Sequence, residues 1–130
     1  MPFTPPQPIP LNEFKVVTKK IVNEEDTFDI YETPENVAGI VLLCQIANLS
    51  NSPKRISAKV RVAGKDAEGE LTGTFSTVIL VKEFTIPPND AFNPLTGRLV
   101  LTVGDIFQIT SHEGDSELDV TFSILENALE

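Results

Sequence analysis

Few side chains in this 130-residue sequence are of the types that catalyse reactions, since it contains one His, one Cys, one Tyr and no Trp. His112 follows Ser111, and Glu113 and Asp115 come next. A Ser–His–acid triad draws its members from separated parts of a fold and holds them in a fixed geometry, so adjacency along the chain is no evidence for one. We interpret His112 as part of an exposed turn and predict no catalytic residues.

Cys44 lies within the longest apolar run of the chain. A cysteine in apolar surroundings behaves as a small buried hydrophobe with an unreactive thiol. A single cysteine cannot form an internal disulfide, so nothing indicates maturation in an oxidising compartment.

Asp115, Glu117 and Asp119 alternate as the first three ligands of a calcium loop do, but the required glycine and the later glutamate are missing. Acidic residues 24–26 could complete a non-helical calcium site, although alternation along a solvated strand explains the same pattern. Two carboxylates at glycosidase distance are a further alternative, but such an enzyme also needs an aromatic sugar platform. We predict neither a metal site nor a cofactor.

The charge of the chain excludes two classes of partner. The net charge is −9 and the isoelectric point about 4.5. Nucleic acids and anionic membranes attract basic surfaces, so we expect no direct contact with either. No apolar stretch is long enough for a membrane helix, and residues 1–10 lack the basic and apolar regions of an export signal.

Short β-branched and aromatic runs, separated by Gly- and Pro-containing breaks, recur along the chain, and no amphipathic helix is evident. This pattern predicts an all-β protein, an antiparallel Greek-key sandwich or jelly roll of about eight strands. Residues 37–49 are apolar on both predicted faces, which favours self-association through a sheet face. Residues 63–76 contain three glycines and are predicted to form a long exposed hairpin loop.

Residues 1–14 are predicted to be an extended proline-rich arm, with the β-sandwich domain spanning 15–130. Five of the first ten residues are proline, which removes backbone donors and favours extended chain. The apolar side chains of the arm are expected to dock onto a neighbouring subunit: Phe3, Ile9, Leu11 and Phe14.

Two charged rows are further candidate contacts, because opposite rows can orient partners during association. The alternation around residues 55–62 predicts a basic outer face, and that around 117–124 predicts an acidic one. The residues are Arg55, Lys59 and Arg61 on the first, and Glu117 and Asp119 on the second.

Three segments within residues 28–126 resemble small β-sandwich virion structural proteins of tailed bacteriophages. They are DIYETPENVAGIVLLCQIANLS, VKEFTIPPNDAFNPLTGRLVLTVGDIFQI and LDVTFSILE. The resemblance implies a non-enzymatic subunit, a capsid decoration (cement) or neck and tail accessory protein. It also implies a homo-oligomer that contacts other virion proteins, is made in the host cytoplasm without a signal peptide and resides in the virion. No small-molecule substrate is expected.

Two other classes of function fit a β-sandwich of this size. A carbohydrate-binding adhesion module would use exposed aromatic side chains, but the chain has no Trp and a single tyrosine, Tyr31. A small hydrolase would need His, Cys or Tyr residues that are scarce here.

Overall fold

The structure, a computed structural model, describes residues 12–128, which form nine β-strands and no helix. Within this range no helix is therefore available to cross a membrane. The strands are β1 (Asn12–Val22), β2 (Thr27–Glu32), β3 (Val37–Asn48), β4 (Lys54–Lys65), β5 (Leu71–Ile86), β6 (Ala91–Phe92), β7 (Leu99–Leu101), β8 (Ile106–Ser111) and β9 (Glu117–Ala128).

The strands pair in a nested order. β4 pairs with β5, β3 with β6 and β7, β2 with β8, and β1 with β9, all antiparallel. This is the pairing of one long hairpin, and wrapping that hairpin brings β9 against β3 and β8 against β4. The result is two sheets, sheet A (β1-β9-β3 with β6 and β7) and sheet B (β2-β8-β4-β5). The all-β prediction is confirmed, and the double Greek key identifies the jelly-roll alternative.

The core lies between the two sheets and follows the alternation that the sequence predicts for the last strand. Leu118, Val120, Phe122 and Ile124 of β9 are all buried. Phe107 of β8 packs on Phe122 with ring centroids 4.9 Å apart. Alternate burial along these strands fixes which face of each sheet points outward.

The side chains of residues 37–49 do not alternate regularly between the two faces of the strand, because the alternation reverses after Val41. A β-bulge lies between Val41 and Leu43 in the pairing of β3 with β9. The extra residue reverses the alternation, so Val41 and Cys44 both face the core while Leu42 and Leu43 are exposed.

The long loop predicted at residues 63–76 is instead the end of a β-hairpin. β4 continues to Lys65 and β5 begins at Leu71, so the connection is only residues 66–70. Asp66 closes this turn by accepting the backbone N–H groups of Glu68 and Glu70 at 2.9 Å. Thr72, Thr74 and Phe75 give this segment strand propensity, while Gly69 and Gly73 take the positive φ that the turn and a bulge require.

The boundary of the predicted arm also differs within the described residues. β1 contains Asn12–Val22, so Phe14, assigned to the arm from sequence, lies in a strand and pairs with Leu125 of β9. Phe3, Ile9 and Leu11 lie outside the described residues, and their docking stays a prediction.

Candidate assembly surface

The side chain of His112, the histidine considered above for catalysis, is hydrogen-bonded to a residue of strand β4. Its Nε2 lies 2.7 Å from Oγ of Ser57, which also accepts the backbone N–H of Glu83 at 2.9 Å. Glu83 has a φ of 49°, at an irregular part of the β4–β5 pairing. His112 is thus partly buried rather than in an exposed turn, and the pair stabilises an irregular part of sheet B.

Cys44 is fully buried in the core, as the sequence predicts. Burial disfavours the thiolate and raises the pKa of Cys44 to about 12. The thiol is therefore unreactive at neutral pH.

The acidic residues that resemble a calcium loop lie near basic side chains or point outward. Asp115 accepts Lys54 at 2.8 Å, which lowers the pKa of Asp115, and Asp119 pairs with Lys20 at 3.1 Å. Glu117 is exposed. No group of three or more His, Cys, Asp or Glu residues within residues 12–128 has the arrangement of a metal site.

A buried polar cluster fastens β1 to the sandwich. Glu126 of β9 is buried, accepts the hydroxyl of Tyr31 from the opposite sheet, and pairs with Lys15 of β1 at 2.9 Å. Burial opposes the charge of Glu126, but these two contacts outweigh it and hold the pKa of Glu126 below its usual value of 4.5.

A second polar cluster fastens the β7–β8 turn to the base of the β4–β5 hairpin. Asp105 accepts the backbone N–H groups of Thr102 at 2.9 Å and Ala63 at 3.0 Å, and Lys65 lies 3.2 Å away. Burial opposes the charge of Asp105, yet these hydrogen bonds lower its pKa below the usual 3.8. Both buried carboxylates thus stabilise the fold.

The outer face of sheet A carries exposed apolar residues in one line across its strands. The register pairs Phe14 with Leu125, Leu125 with Ile40, and Ile40 with Val100. Cross-strand partners share a face, so these four side chains form a continuous apolar row from β1 through β9 and β3 to β7. Phe14 is 74% exposed and Val100 59%, while Leu125 and Ile40 are partly exposed.

The apolar row continues into an uncharged region. The next cross-strand line joins Val16, Ser123 and Leu43, and the line after that joins Thr18, Thr121 and Gln45. Charged residues return only at the far end of the face, at Lys20, Asp119 and Glu117. More than half of this face is therefore uncharged in a protein whose net charge is −9.

The equivalent line across sheet B is polar at three of its four positions. It joins Asp29, Gln108, Lys59 and Ile79, and the amide of Gln108 donates to Asp29 at 2.7 Å. We call these four residues the polar row. The two outer faces therefore offer different surfaces, and the uncharged, apolar one is the candidate assembly surface.

The structure does not bring the predicted charged interface residues together. Arg55, Lys59 and Arg61 belong to sheet B, whereas Glu117 and Asp119 belong to sheet A. Arg55 contacts Glu113 at 2.8 Å and Glu83 at 3.0 Å, and Arg61 lies 3.8 Å from the ring centre of Phe75. The assignment of these residues to a partner interface stays a prediction.

The sequence analysis identified Phe14 and included Ile40 in the apolar run 37–49, but it missed Leu125 and Val100. The available signal was the unbroken apolar run in which each lies, because consecutive apolar residues in a strand place one on each face. Ile124–Leu125 and Leu99–Val100–Leu101 are such runs.

No protein-family model and no curated protein matches this chain. Among solved structures, the chain is similar to a protein of Bacillus endospore appendages, which form a family of disulfide-linked pili. That similarity has 8% identity and a TM-score of 0.45, and it covers 98% of this chain and 100% of that chain.

The chain is also similar to chains of infectious bursal disease virus. For the Gx strain the identity is 9% and the TM-score 0.49, over 91% of this chain and 32% of the viral one. For the Gt strain the identity is 9% and the TM-score 0.40, over 92% and 38%. Similarities this weak assign no family to the chain, and the resemblance to tailed-phage proteins stays a prediction.

Proposed function

We propose that this chain is a non-enzymatic structural subunit of a tailed-phage virion, a capsid decoration or neck and tail accessory protein. It joins neighbouring copies through the outer face of sheet A, and other virion proteins are its further partners. The apolar row across four strands is the observation that carries the proposal. The three sequence segments that resemble virion proteins support the choice of particle.

The energetics favour covering the apolar row. Each large apolar side chain that passes from water to a buried position contributes roughly 1.5–3 kcal/mol. Phe14 and Val100 are largely exposed and stand to gain most, and Leu125 and Ile40 lie between them. Contiguous apolar patches of this kind mark interaction sites more often than solvated surface.

Charge favours this face over the other surfaces for contact with a second copy. Two molecules of net charge −9 repel each other over most orientations. Contact through the uncharged half of sheet A brings no like charges together, since Glu117, Asp119 and Lys20 lie at its far end. Glu126 and Asp105 are buried and paired, and the exposed Asp115 is paired with Lys54, which supports a structural rather than a catalytic use of these acidic residues.

The test is the association constant of the Val100→Lys variant, measured by sedimentation equilibrium. We expect association to weaken about tenfold or more, because an apolar contact is lost and a charge is buried in its place. Leu49→Lys is the matched control, since Leu49 is an exposed apolar residue just beyond the opposite end of β3. Equal association of the two variants would remove the proposal.

A further inference from the structure

β5 is an edge strand, and its residues 75–79, which pair with β4 in unbroken register, lack the usual protection of an edge. It pairs with β4 on one side and has no described strand on the other. Residues 71–81 contain neither a charged residue nor a proline. Val78 is 49% exposed and Ile79 55%, and they point to opposite faces of the strand. A long, uncharged edge with exposed apolar side chains is a template for pairing with another chain.

The other sheet edges among the described strands are better protected. β1 carries Lys15, Lys19 and Lys20. β2 has six residues, includes Asp29 and Glu32, and is interrupted by a bulge after Asp29. β6 and β7 have two and three residues. Lysines, short length and bulges all discourage pairing. The pairing of β5 with β4 is itself irregular around residues 71–75 and 79–84, but it runs in unbroken register over residues 75–79. That stretch of β5 is therefore where an added strand would fit.

The proline-rich residues 1–11 have a spacing suited to such an added strand. In an extended chain the N–H and C=O groups of alternate residues point to the same edge. Pro2, Pro6, Pro8 and Pro10 all occupy even positions, and Pro5 is the exception. The odd edge therefore keeps the N–H groups of Phe3, Gln7, Ile9 and Leu11, whereas the even edge keeps only that of Thr4.

We propose that residues 1–11 of one copy add to the outer edge of β5 of a second copy, with the odd positions hydrogen-bonded to β5. This deepens the proposed function and rests on it, because it supplies a second subunit contact beside the apolar row. The segment is uncharged, as residues 71–81 are. Its even edge offers almost no donors, so the added strand closes the sheet against further growth. The contact joins different surfaces of the two copies and so builds a ring or a chain.

The position of β5 favours the β5 of a second copy over that of the same copy. β1 lies at one edge of sheet A, while Phe84 of β5 stacks on Phe92 of β6, beside the other edge, with centroids 3.7 Å apart. A segment leaving Asn12 would cross about 14 Å, three strand spacings, to reach its own β5. Crossing that distance takes about four residues at ~3.3 Å each, and those residues cannot pair with β5. The whole segment can pair with the β5 of a neighbouring copy.

The first test compares proline substitutions at odd and at even positions of residues 1–11 in the full chain. Both are made in the Val100→Lys variant, in which the sheet A contact is weakened and the contact with β5 is measured by itself. Gln7→Pro/Ile9→Pro removes two N–H groups from the odd edge and should weaken the remaining association about tenfold. Thr4→Pro removes an N–H group from the even edge and should leave it unchanged. Equal effects of the two changes, or no association of the Val100→Lys parent, would overturn the proposal.

The second test is complementation between two full-length variants in the same background. One carries Gln7→Pro/Ile9→Pro and retains β5, and the other carries Val78→Lys/Ile79→Lys and retains residues 1–11. Each alone should stay monomeric, and an equimolar mixture should form a 1:1 complex in native mass spectrometry. A mixture that stays monomeric would overturn strand addition between copies. If Val100→Lys weakens association but Gln7→Pro/Ile9→Pro and Thr4→Pro have equal effects, the sheet A contact stands and only strand addition to β5 is removed.

Discussion

The apolar row on the outer face of sheet A and the polar row on the outer face of sheet B differ in chemistry. On sheet A the apolar row consists of Phe14, Leu125, Ile40 and Val100. On sheet B the polar row consists of Asp29, Gln108, Lys59 and Ile79. The inner faces of both sheets are apolar and build the core. A core therefore explains one face of each sheet, and the apolar outer face of sheet A needs a different explanation.

The largest expected effect follows from placing equal charges on the outer faces of the two sheets. Phe14→Lys/Val100→Lys should weaken association through sheet A about a hundredfold, because two apolar contacts are lost and two charges are buried. Gln108→Lys/Thr110→Lys adds the same charge to the outer face of sheet B and should change association little. Sedimentation equilibrium measures both, and similar losses would indicate a general effect of net charge.

The second effect concerns the buried support beneath the apolar row. Glu126→Gln removes the charge that Lys15 and Tyr31 contact, so the free energy of unfolding should fall by about 1–3 kcal/mol. The control is Asp119→Asn, at the exposed Lys20–Asp119 pair, where we expect about 0–1 kcal/mol. Urea denaturation gives both values. Equal losses would show that the buried cluster does not hold β1 more firmly than the surface pair does.

A third effect is the pH dependence of the two buried carboxylates. The folded pKa values of Glu126 and Asp105 lie below their ordinary values of 4.5 and 3.8. Their stabilisation is therefore present above those ordinary values and is lost as the pH falls through the lowered ones. Urea midpoints between pH 7 and about pH 3 should decline less steeply for Asp105→Asn than for the unaltered protein. Parallel slopes for Asp105→Asn and the unaltered protein would contradict this account.

The smallest expected effect comes from the basic residues of sheet B. Arg55→Glu/Lys59→Glu/Arg61→Glu should weaken assembly a few-fold at low salt and not at high salt, because surface charges act mainly through screened, long-range attraction. Arg55 already contacts Glu113 and Glu83 within the chain, which limits what it can give a partner. A salt-independent loss larger than that of Val100→Lys would place the main contact on sheet B instead.

Regular alternation made much of the fold predictable from sequence. Leu118, Val120, Phe122 and Ile124 are buried as expected, and the jelly roll is one of the two predicted arrangements. The β3 bulge was not predictable, because residues 37–49 are apolar at nearly every position and so give no sign of where the alternation reverses. Glycines concealed the β4–β5 hairpin, since the same residues occur in loops and in bulged strands.

The candidate surface was less predictable than the fold. Phe14, Ile40, Val100 and Leu125 come from four distant parts of the sequence, and only strand pairing makes them neighbours. Pairing order depends on tertiary structure, which local pattern does not encode. The sequence indicated an apolar sheet face at residues 37–49, and the structure extends that face to three further strands.

Hydroxyl-radical footprinting of the associated and the diluted protein tests the sheet A contact most directly, because it reports the solvent exposure of individual side chains. Phe14 and Val100 should be oxidised several-fold more slowly in the associated protein than in the diluted protein. Leu49, which is also exposed but lies outside the proposed contact, should be oxidised at the same rate in both. Unchanged oxidation of Phe14 and Val100 on association would contradict the assignment of this face as the subunit contact.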